Sequence, residues 1–302
     1  MKLIECIPNF SEGRRAEVID AIAKEIRDVQ GVLFLGKEAD ADHNRCVLTF
    51  AGSPETVAEA AFRGCKKAME LIDLNKHRGE HPRIGATDVI PFVPISGVSM
   101  EECVALSRRV AKRIADELHI PTYLYERSAT REERRNLANI RKGEFEGLRE
   151  TIETEEWRPD FGEARIHPTA GATVVGARPM LIAFNVYLDT QDVGVAKRIA
   201  HRIRERDGGL PGVKALGFYI EARKMAQVSM NLTDLEKTTP LVAYEKVVNE
   251  AMKENVKVAG SEVVGMVPVS VLAEAAGRAM KLMDFNSEQI LEKRLFELML
   301  EE

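Results

Sequence analysis

The chain has 302 residues, 45% apolar and 30% charged, which describes an ordinary soluble protein with room for one large or two medium domains. Its formal net charge of −5 gives no general attraction for a nucleic-acid backbone, so any anion site must be local. Cys6, Cys46, Cys65 and Cys103 are scattered without close pairs, which argues for reduced thiols in the cytoplasm rather than a disulfide frame or a zinc site. The first residues lack a signal peptide's apolar segment, and no apolar run approaches the ~20 residues that a membrane span requires.

In chain order, Leu3 to Ile7 predicts a strand, followed by a turn-rich exit in which Asn9, Ser11 and Glu12 suit the start of a helix from Ala16 to Val29. Val32 to Leu35 predicts a second strand, which runs into a polar loop from Lys37 to Arg45. Cys46 to Phe50 reads as the next strand. Ser53 then caps a helix with Pro54 at its first position, and Ala61, Ala68, Met69, Leu71 and Ile72 keep helical spacing.

Asp88 to Ile95 reads as a strand, placed at an edge because Pro91 and Pro94 cannot donate to a ladder. Ser99 and Glu102 form a capping box for a helix to about Leu118, and Pro121 to Tyr125 predicts a closing strand. Residues 128–156 are dense in Arg and Glu and read as an excursion over the surface, its charges a solvated face with nothing catalytic. Small residues crowd the stretch from Gly162 to Pro179, which suits close approach by a flat ligand or another backbone, or simply a tight bend.

From Met180 the pattern is strand 181–188, helix 193–206, strand 213–220, strand 226–232, helix 240–254 and short strand 256–258. This β-α-β-β-α-β order, echoed from Leu3 to Ile95, predicts an α+β protein of two ferredoxin-like sandwich subdomains, residues 1–179 and 180–302. Val269 to Met283 and Ser287 to Leu300 predict two final helices. The second alternates Glu with Ile and Leu, as a helix docking on its own domain or on a partner subunit would.

The densest chemistry lies in His77-Arg78-Gly79-Glu80-His81-Pro82-Arg83-Ile84-Gly85-Ala86-Thr87-Asp88. Gly79, Pro82 and Gly85 interrupt regular structure, and loops on a rigid scaffold are where chemistry concentrates. A histidine beside a carboxylate is suited to proton transfer. The i, i+4 spacing of His77 and His81 would make a metal pair on a helix, but Gly79 and Pro82 weaken that reading.

Six ordered stretches together resemble one family, the formiminotransferases (glutamate formimidoyltransferases) of folate-dependent histidine breakdown. They are Glu5 to Gly13, Asp42 to Arg45, His77 to Asp88, Trp157 to Gly162, Gly171 to Arg178 and Ala226 to Leu232. The resemblance runs over roughly residues 1–275. It implies transfer of a formimidoyl group from N-formimidoyl-L-glutamate to N5 of tetrahydrofolate, by a cytoplasmic homodimer with two subdomains per chain. The irregular ligand spacing of the loops, the acidic net charge and the lack of a long apolar run lead us to expect no metal, no nucleic acid and no membrane. Some relatives carry a cyclodeaminase domain after the transferase, and this chain is expected to be the transferase alone.

Carried over by position, the family's catalytic histidine falls on His81, its acidic residue on Glu38 or Asp40, and its folate segment on Gly162, Glu163, Ala164, Arg165, Ile166, His167, Pro168, Thr169, Ala170 and Gly171. The chemistry suits these residue types. N5 must lose a proton as it attacks, and the departing amine must gain one. Asn9 and Asn44 are placed to bind substrate, Asn44 at the amidine. Arg45, Arg78 and Arg83 are expected to pair with substrate carboxylates. Two other readings compete: a metal-dependent hydrolase using His43, His77 and His81 with Asp40 or Asp42, and a non-catalytic folate-binding protein.

Overall fold

The computed structural model describes residues 2–301, without the side chains of residues 300 and 301. The expected apolar position at Leu300 and the last residue of the expected 180–302 subdomain therefore lie outside the described residues. The chain forms two compact units, Met1–Arg178 and Pro179–Glu302. It is an α+β protein with a seven-stranded mixed sheet and a four-stranded antiparallel one.

In the first unit the order is β1 (Leu3–Cys6), β2 (Asn9–Phe10), α1 (Ala16–Arg27), β3 (Leu33–Asp40), β4 (Arg45–Gly52), α2 (Pro54–Leu71), β5 (Thr87–Ser96), α3 (Met100–Leu118) and β6 (Thr122–Glu126). The short helices α4 (Leu137–Ile140) and α5 (Glu144–Thr151) follow, and then β7 (Thr173–Ala177). The sheet runs β3, β4, then β1 and β2 end to end in one position, β5, β7 and β6. Helix α1 buries Val18, Ile19, Ile22, Ala23 and Ile26, one face at the helical period. Helix α2 starts on Ser53, whose hydroxyl accepts from Thr56 N, with Pro54 next. Helix α3 starts on the capping box of Ser99 and Glu102. These caps satisfy helix N–H groups that otherwise lack partners.

Three expectations change here. The second strand reaches Asp40, so the polar run from Lys37 is strand and only residues 41–44 turn. Edge pairing uses backbone groups and is indifferent to charged side chains that point into water, which is why polarity misled. Strand β5 is central rather than at an edge: it pairs with β1 and β2 on one side and β7 on the other. A proline lacks a donor but keeps its acceptor, and Pro91 O takes the N–H of Ile7 at 3.3 Å. The small-residue stretch after Gly171 is no bend but the buried parallel strand β7, where Gly176 lies against Tyr125 too closely for a Cβ.

Residues 128–156 are also more than a solvated face. Ile140, Phe145, Leu148 and Ile152 are buried, and Arg134 pairs with Asp160 at 2.8 Å with both side chains under a tenth exposed.

The second unit comprises β8 (Ile182–Leu188), α6 (Val193–Ile203), β9 (Val213–Ile220), β10 (Met225–Leu232), α7 (Pro240–Lys253), β11 (Val258–Val264), α8 (Val269–Met280) and α9 (Leu291–Glu301). Its strands lie in the order β11, β8, β10, β9. Alternate residues Ile182, Phe184, Val186 and Leu188 of β8 and Ala226, Val228, Met230 and Leu232 of β10 share one core with Ala196, Ile199 and Val247 from its helices. The last strand is longer and later than expected, Val258–Val264, because it follows the full length of β8. Among the described residues no helix is long and apolar enough to cross a membrane.

Candidate active site

The dense polar stretches of the first unit converge because the β3–β4 hairpin turns beside the loop that leads into β5. Asp40 faces Arg45 across the hairpin. Its Oδ1 accepts the N–H groups of Asp42 and His43, both at 2.9 Å, and its Oδ2 lies 2.7 Å from His43 Nδ1. Burial works against the Asp40 carboxylate, but the hydrogen bonds from the His43 backbone and ring outweigh it and hold the group below the usual carboxylate range.

Asn44 ties the hairpin to its surroundings from a left-handed backbone at φ 48°. Its Oδ1 accepts from Gly13 N at 2.9 Å and its Nδ2 donates to Arg78 O at 2.9 Å. Its own carbonyl accepts from His77 Nε2 at 2.8 Å. Asn44 was expected at the amidine; here both ends of its amide join three backbone segments. Gly79 permits the contact, since a Cβ there would stand 2.3 Å from His43 O.

His77 is buried, and its second nitrogen, Nδ1, accepts from Arg83 Nε at 3.2 Å. Burial, ahead of other effects, lowers its pKa. Arg83 in turn donates to Glu144 at 2.7 Å and to both oxygens of Glu146 at 2.8 Å. Its guanidinium is 7% exposed and engaged within the chain, away from the expected role with a substrate carboxylate. Both nitrogens of His77 are occupied too, so the set His43, His77 and His81 does not gather as metal ligands. Among the described residues no group of three or more His, Cys, Asp or Glu side chains has such an arrangement.

His81 is half-buried and its Nε2 lies 3.0 Å from Arg45 Nη1. A guanidinium has only donors, so Nε2 is the acceptor and the ring hydrogen sits on Nδ1. The same Nη1 reaches Asn9 Oδ1 at 3.3 Å, and Asn9 Nδ2 donates to Ile7 O at 3.0 Å. Burial first, then the cations of Arg141 and Arg45, push His81 down to about 2. The imidazole is therefore neutral at ordinary pH while Arg45 is in place. Neither Glu38 nor Asp40 holds its ring: Glu38 stands exposed on β3, and Asp40 is committed to His43. Arg78 is exposed, and its Nη1 donates to His77 O at 2.6 Å.

Arg141 belongs to the site although its sequence context gave no sign of it. It reaches back 53 residues to Asp88, with Nε 2.9 Å from Oδ2 and Nη2 also bonded. Asp88 is 1% exposed and its Oδ1 accepts from Ile84 N at 2.9 Å. One carboxylate thus closes the loop and anchors the cation beside His81.

The stretch from Gly162 to Gly171 joins the same loop through backbone. Ala170 O accepts from Ala86 N, Thr169 O from Leu74 N, and Pro168 O from Asn75 Nδ2. Gly171, at φ +73°, lies against Ile84 O where a Cβ would approach to 2.1 Å. His167 folds the segment on itself: its Nδ1 accepts from Ala170 N at 3.0 Å, and its backbone exchanges hydrogen bonds with Gly171. Ile166 and Ala170 are buried, whereas Gly162, Glu163, Arg165 and Pro168 are exposed, with Glu163 and Arg165 paired at 3.2 Å. Ala164 and Thr169 are intermediate. A separate cleft of about 370 Å³ is lined by Ser11, Glu12, Arg14, Arg15, Lys76 and His77 among others, and His81 takes no part in it.

Residues 3–178 match the family described as the formiminotransferase domain, N-terminal subdomain, and residues 183–301 match the formiminotransferase domain. The chain is 49% identical to the glutamate formimidoyltransferase of Streptococcus pyogenes serotype M1 over 97% of its own length and 99% of that protein. It is 46% identical to the enzyme of that name from Thermoplasma acidophilum, over 98% of each chain. It also matches the formimidoyltransferase-cyclodeaminase of Mus musculus, at 46% identity over 91% of this chain and 52% of that protein. Two successive domain matches that leave only a few residues uncovered place the whole chain in the formiminotransferase family.

Proposed function

We propose that the chain is a glutamate formimidoyltransferase, which moves the formimidoyl group from N-formimidoyl-L-glutamate to N5 of tetrahydrofolate and releases L-glutamate. The observation that carries the reading is the hydrogen-bonded joining of three stretches: Asp40 to Arg45 meets His77 to Asp88 at Asn44 and His81, and Gly162 to Gly171 meets the same loop at Ala86. Tetrahydrofolate lies along Gly162 to Gly171 as co-substrate. Asn9 and Arg45 meet the donor, and no metal is assigned a part.

The nitrogen N5 attacks the formimidoyl carbon, and its proton must leave as the new bond forms. His81 is the group nearest to that task, but Arg45 occupies its Nε2 in the free protein. A carboxylate of the donor draws the guanidinium to itself, which frees Nε2 and removes a cation that holds the ring neutral. Donor binding thus switches on the base. Arg141 stays bound to Asp88 and supplies a fixed positive field for the anionic donor.

The same reading takes both units as ferredoxin-like sandwiches, on the support of the β-α-β-β-α-β order in each and the strand order β11, β8, β10, β9 in the second. A cytoplasmic homodimer also belongs to it and rests on the resemblance; size-exclusion chromatography with light scattering tests the dimer. The reaction is tested by an absorbance assay of tetrahydrofolate with formimidoyl-glutamate, run beside formyl-glutamate. His81→Ala is expected to lower turnover at least about 100-fold while folate still binds. Unchanged turnover removes His81 from the mechanism.

A further inference from the structure

We propose that His43, positioned by Asp40, is the proton donor to the departing glutamate nitrogen, leaving His81 to take the proton of N5. This rests on the transfer reaction proposed above. That reaction needs two proton movements of opposite sense, and the geometry offers two imidazoles held by opposite partners, a carboxylate and a guanidinium. His81 Nε2 accepts from a guanidinium, so that nitrogen carries no hydrogen to give. His43 is held the other way. The Asp40 carboxylate grips it twice, at the backbone N–H and at Nδ1, so Nδ1 carries a hydrogen and the ring is fixed with Nε2 directed away from the carboxylate, the position from which an imidazolium gives up its second proton.

The placement suits the role. The His43 side chain is 49% exposed at the open turn of the hairpin, where a ligand can reach it. Its ring centroid is 6.5 Å from that of His81, with the planes at 73°. A reacting centre beside the two rings can come within the roughly 2.6–3.2 Å that proton transfer requires of each.

The steps balance. The N5 lone pair forms the N5–C bond, the C=N pair of the protonated formimidoyl group moves onto its nitrogen, and the N5 proton passes to His81 Nε2. The bond from carbon to the glutamate nitrogen then breaks, its electron pair leaves with that nitrogen, and the His43 Nε2 proton is transferred to it. The formimidoyl C=N bond reforms from the nitrogen lone pair. One proton has been gained by His81 and one lost by His43, and exchange with water resets both. No oxidant, reductant or metal enters.

The test compares two donors of different leaving-group basicity. Formimidoyl-glutamate expels an alkylamine that must be protonated, whereas the O-aryl formimidate of para-hydroxybenzoate expels a phenoxide, which departs without a proton. In the first case His43→Gln is expected to lower kcat about 100-fold with little change in KM. With the aryl formimidate donor its deficit shrinks below about tenfold, while His81→Ala is slow with both.

Asp40→Asn keeps an oxygen for the turn but loses the carboxylate, and is expected to show a smaller loss with the same leaving-group dependence at an unchanged Tm. That variant carries the comparison should His43→Gln fail to fold. Equal losses with both donors, or turnover from formimidoyl-glutamate equal to the parent's, overturn the role of His43. Failure of the parent protein to transfer from either donor overturns the reaction itself.

Discussion

Replacing Arg45 with Gln isolates the claim that this guanidinium keeps His81 neutral. The cation sits with Nη1 3.0 Å from His81 Nε2, so its charge centre is about 4 Å from the ring, where a unit charge is worth about 4 kcal/mol at an effective dielectric constant near 20. At 1.36 kcal/mol per pH unit this corresponds to about three pH units. Partial exposure of Arg45 screens some of it, and about one to three is the working range. Burial is the first cause of the depression and Arg141 remains beside the ring, so the midpoint should climb from about 2 yet stay below the ordinary 6.5. The assay is a long-range proton–nitrogen NMR correlation of the imidazole nitrogens through an acid titration. An unmoved midpoint would falsify the electrostatic account of His81.

The same ring sets part of the acid sensitivity. Its folded-state pKa lies below that of the unfolded chain, so between the two values the unfolded state binds more protons and stability falls as pH drops below about 6.5. By pH 5 the loss from His81 is up to about 2 kcal/mol, and His81→Gln should flatten that part of a urea-denaturation profile; an unchanged slope refutes it. His77→Ala leaves a buried carbonyl of Asn44 and the Arg83 donor without their ring, at about 1–3 kcal/mol each, read by chemical denaturation. Arg141→Met strands the buried Asp88 carboxylate and is expected to cost about 3–5 kcal/mol, much of it recovered by adding Asp88→Asn; simply additive losses in the double-mutant cycle count against the pairing. Gly79→Ala forces a Cβ against His43 O and should lower turnover by about 100-fold with a smaller effect on Tm, since it parts the loop from the hairpin.

Much of the fold was legible because short-range physics determined it. The caps at Ser53 and Ser99 are local hydrogen bonds, and the buried stripe of α1 is a matter of spacing. The polar half of β3 was not legible, since strand pairing there depends on a neighbour that supplies backbone groups whatever the side chains are. For the site, the motifs marked the loops but not the partners within them. Nothing near Arg141 signals that its partner is Asp88, and nothing near Arg83 signals Glu144 and Glu146 more than 60 residues on. Arginines that read as substrate ligands are divided by the fold into one that braces the loop, Arg83, and one that faces the ring of His81, Arg45. Only packing makes that division.

Strand β3 lies at the margin of the seven-stranded sheet, hydrogen-bonded to β4 alone among the described strands. Such a margin is a template on which another chain can add, and Leu33 and Leu35, 53% and 43% exposed, would make the addition adhesive. Lys37, Glu38 and Asp40 follow on the same strand and place charges along the open side as it nears the site. A charge at Glu38 on such a margin opposes strand addition by electrostatics alone, with no substrate required, on the same strand that carries Asp40.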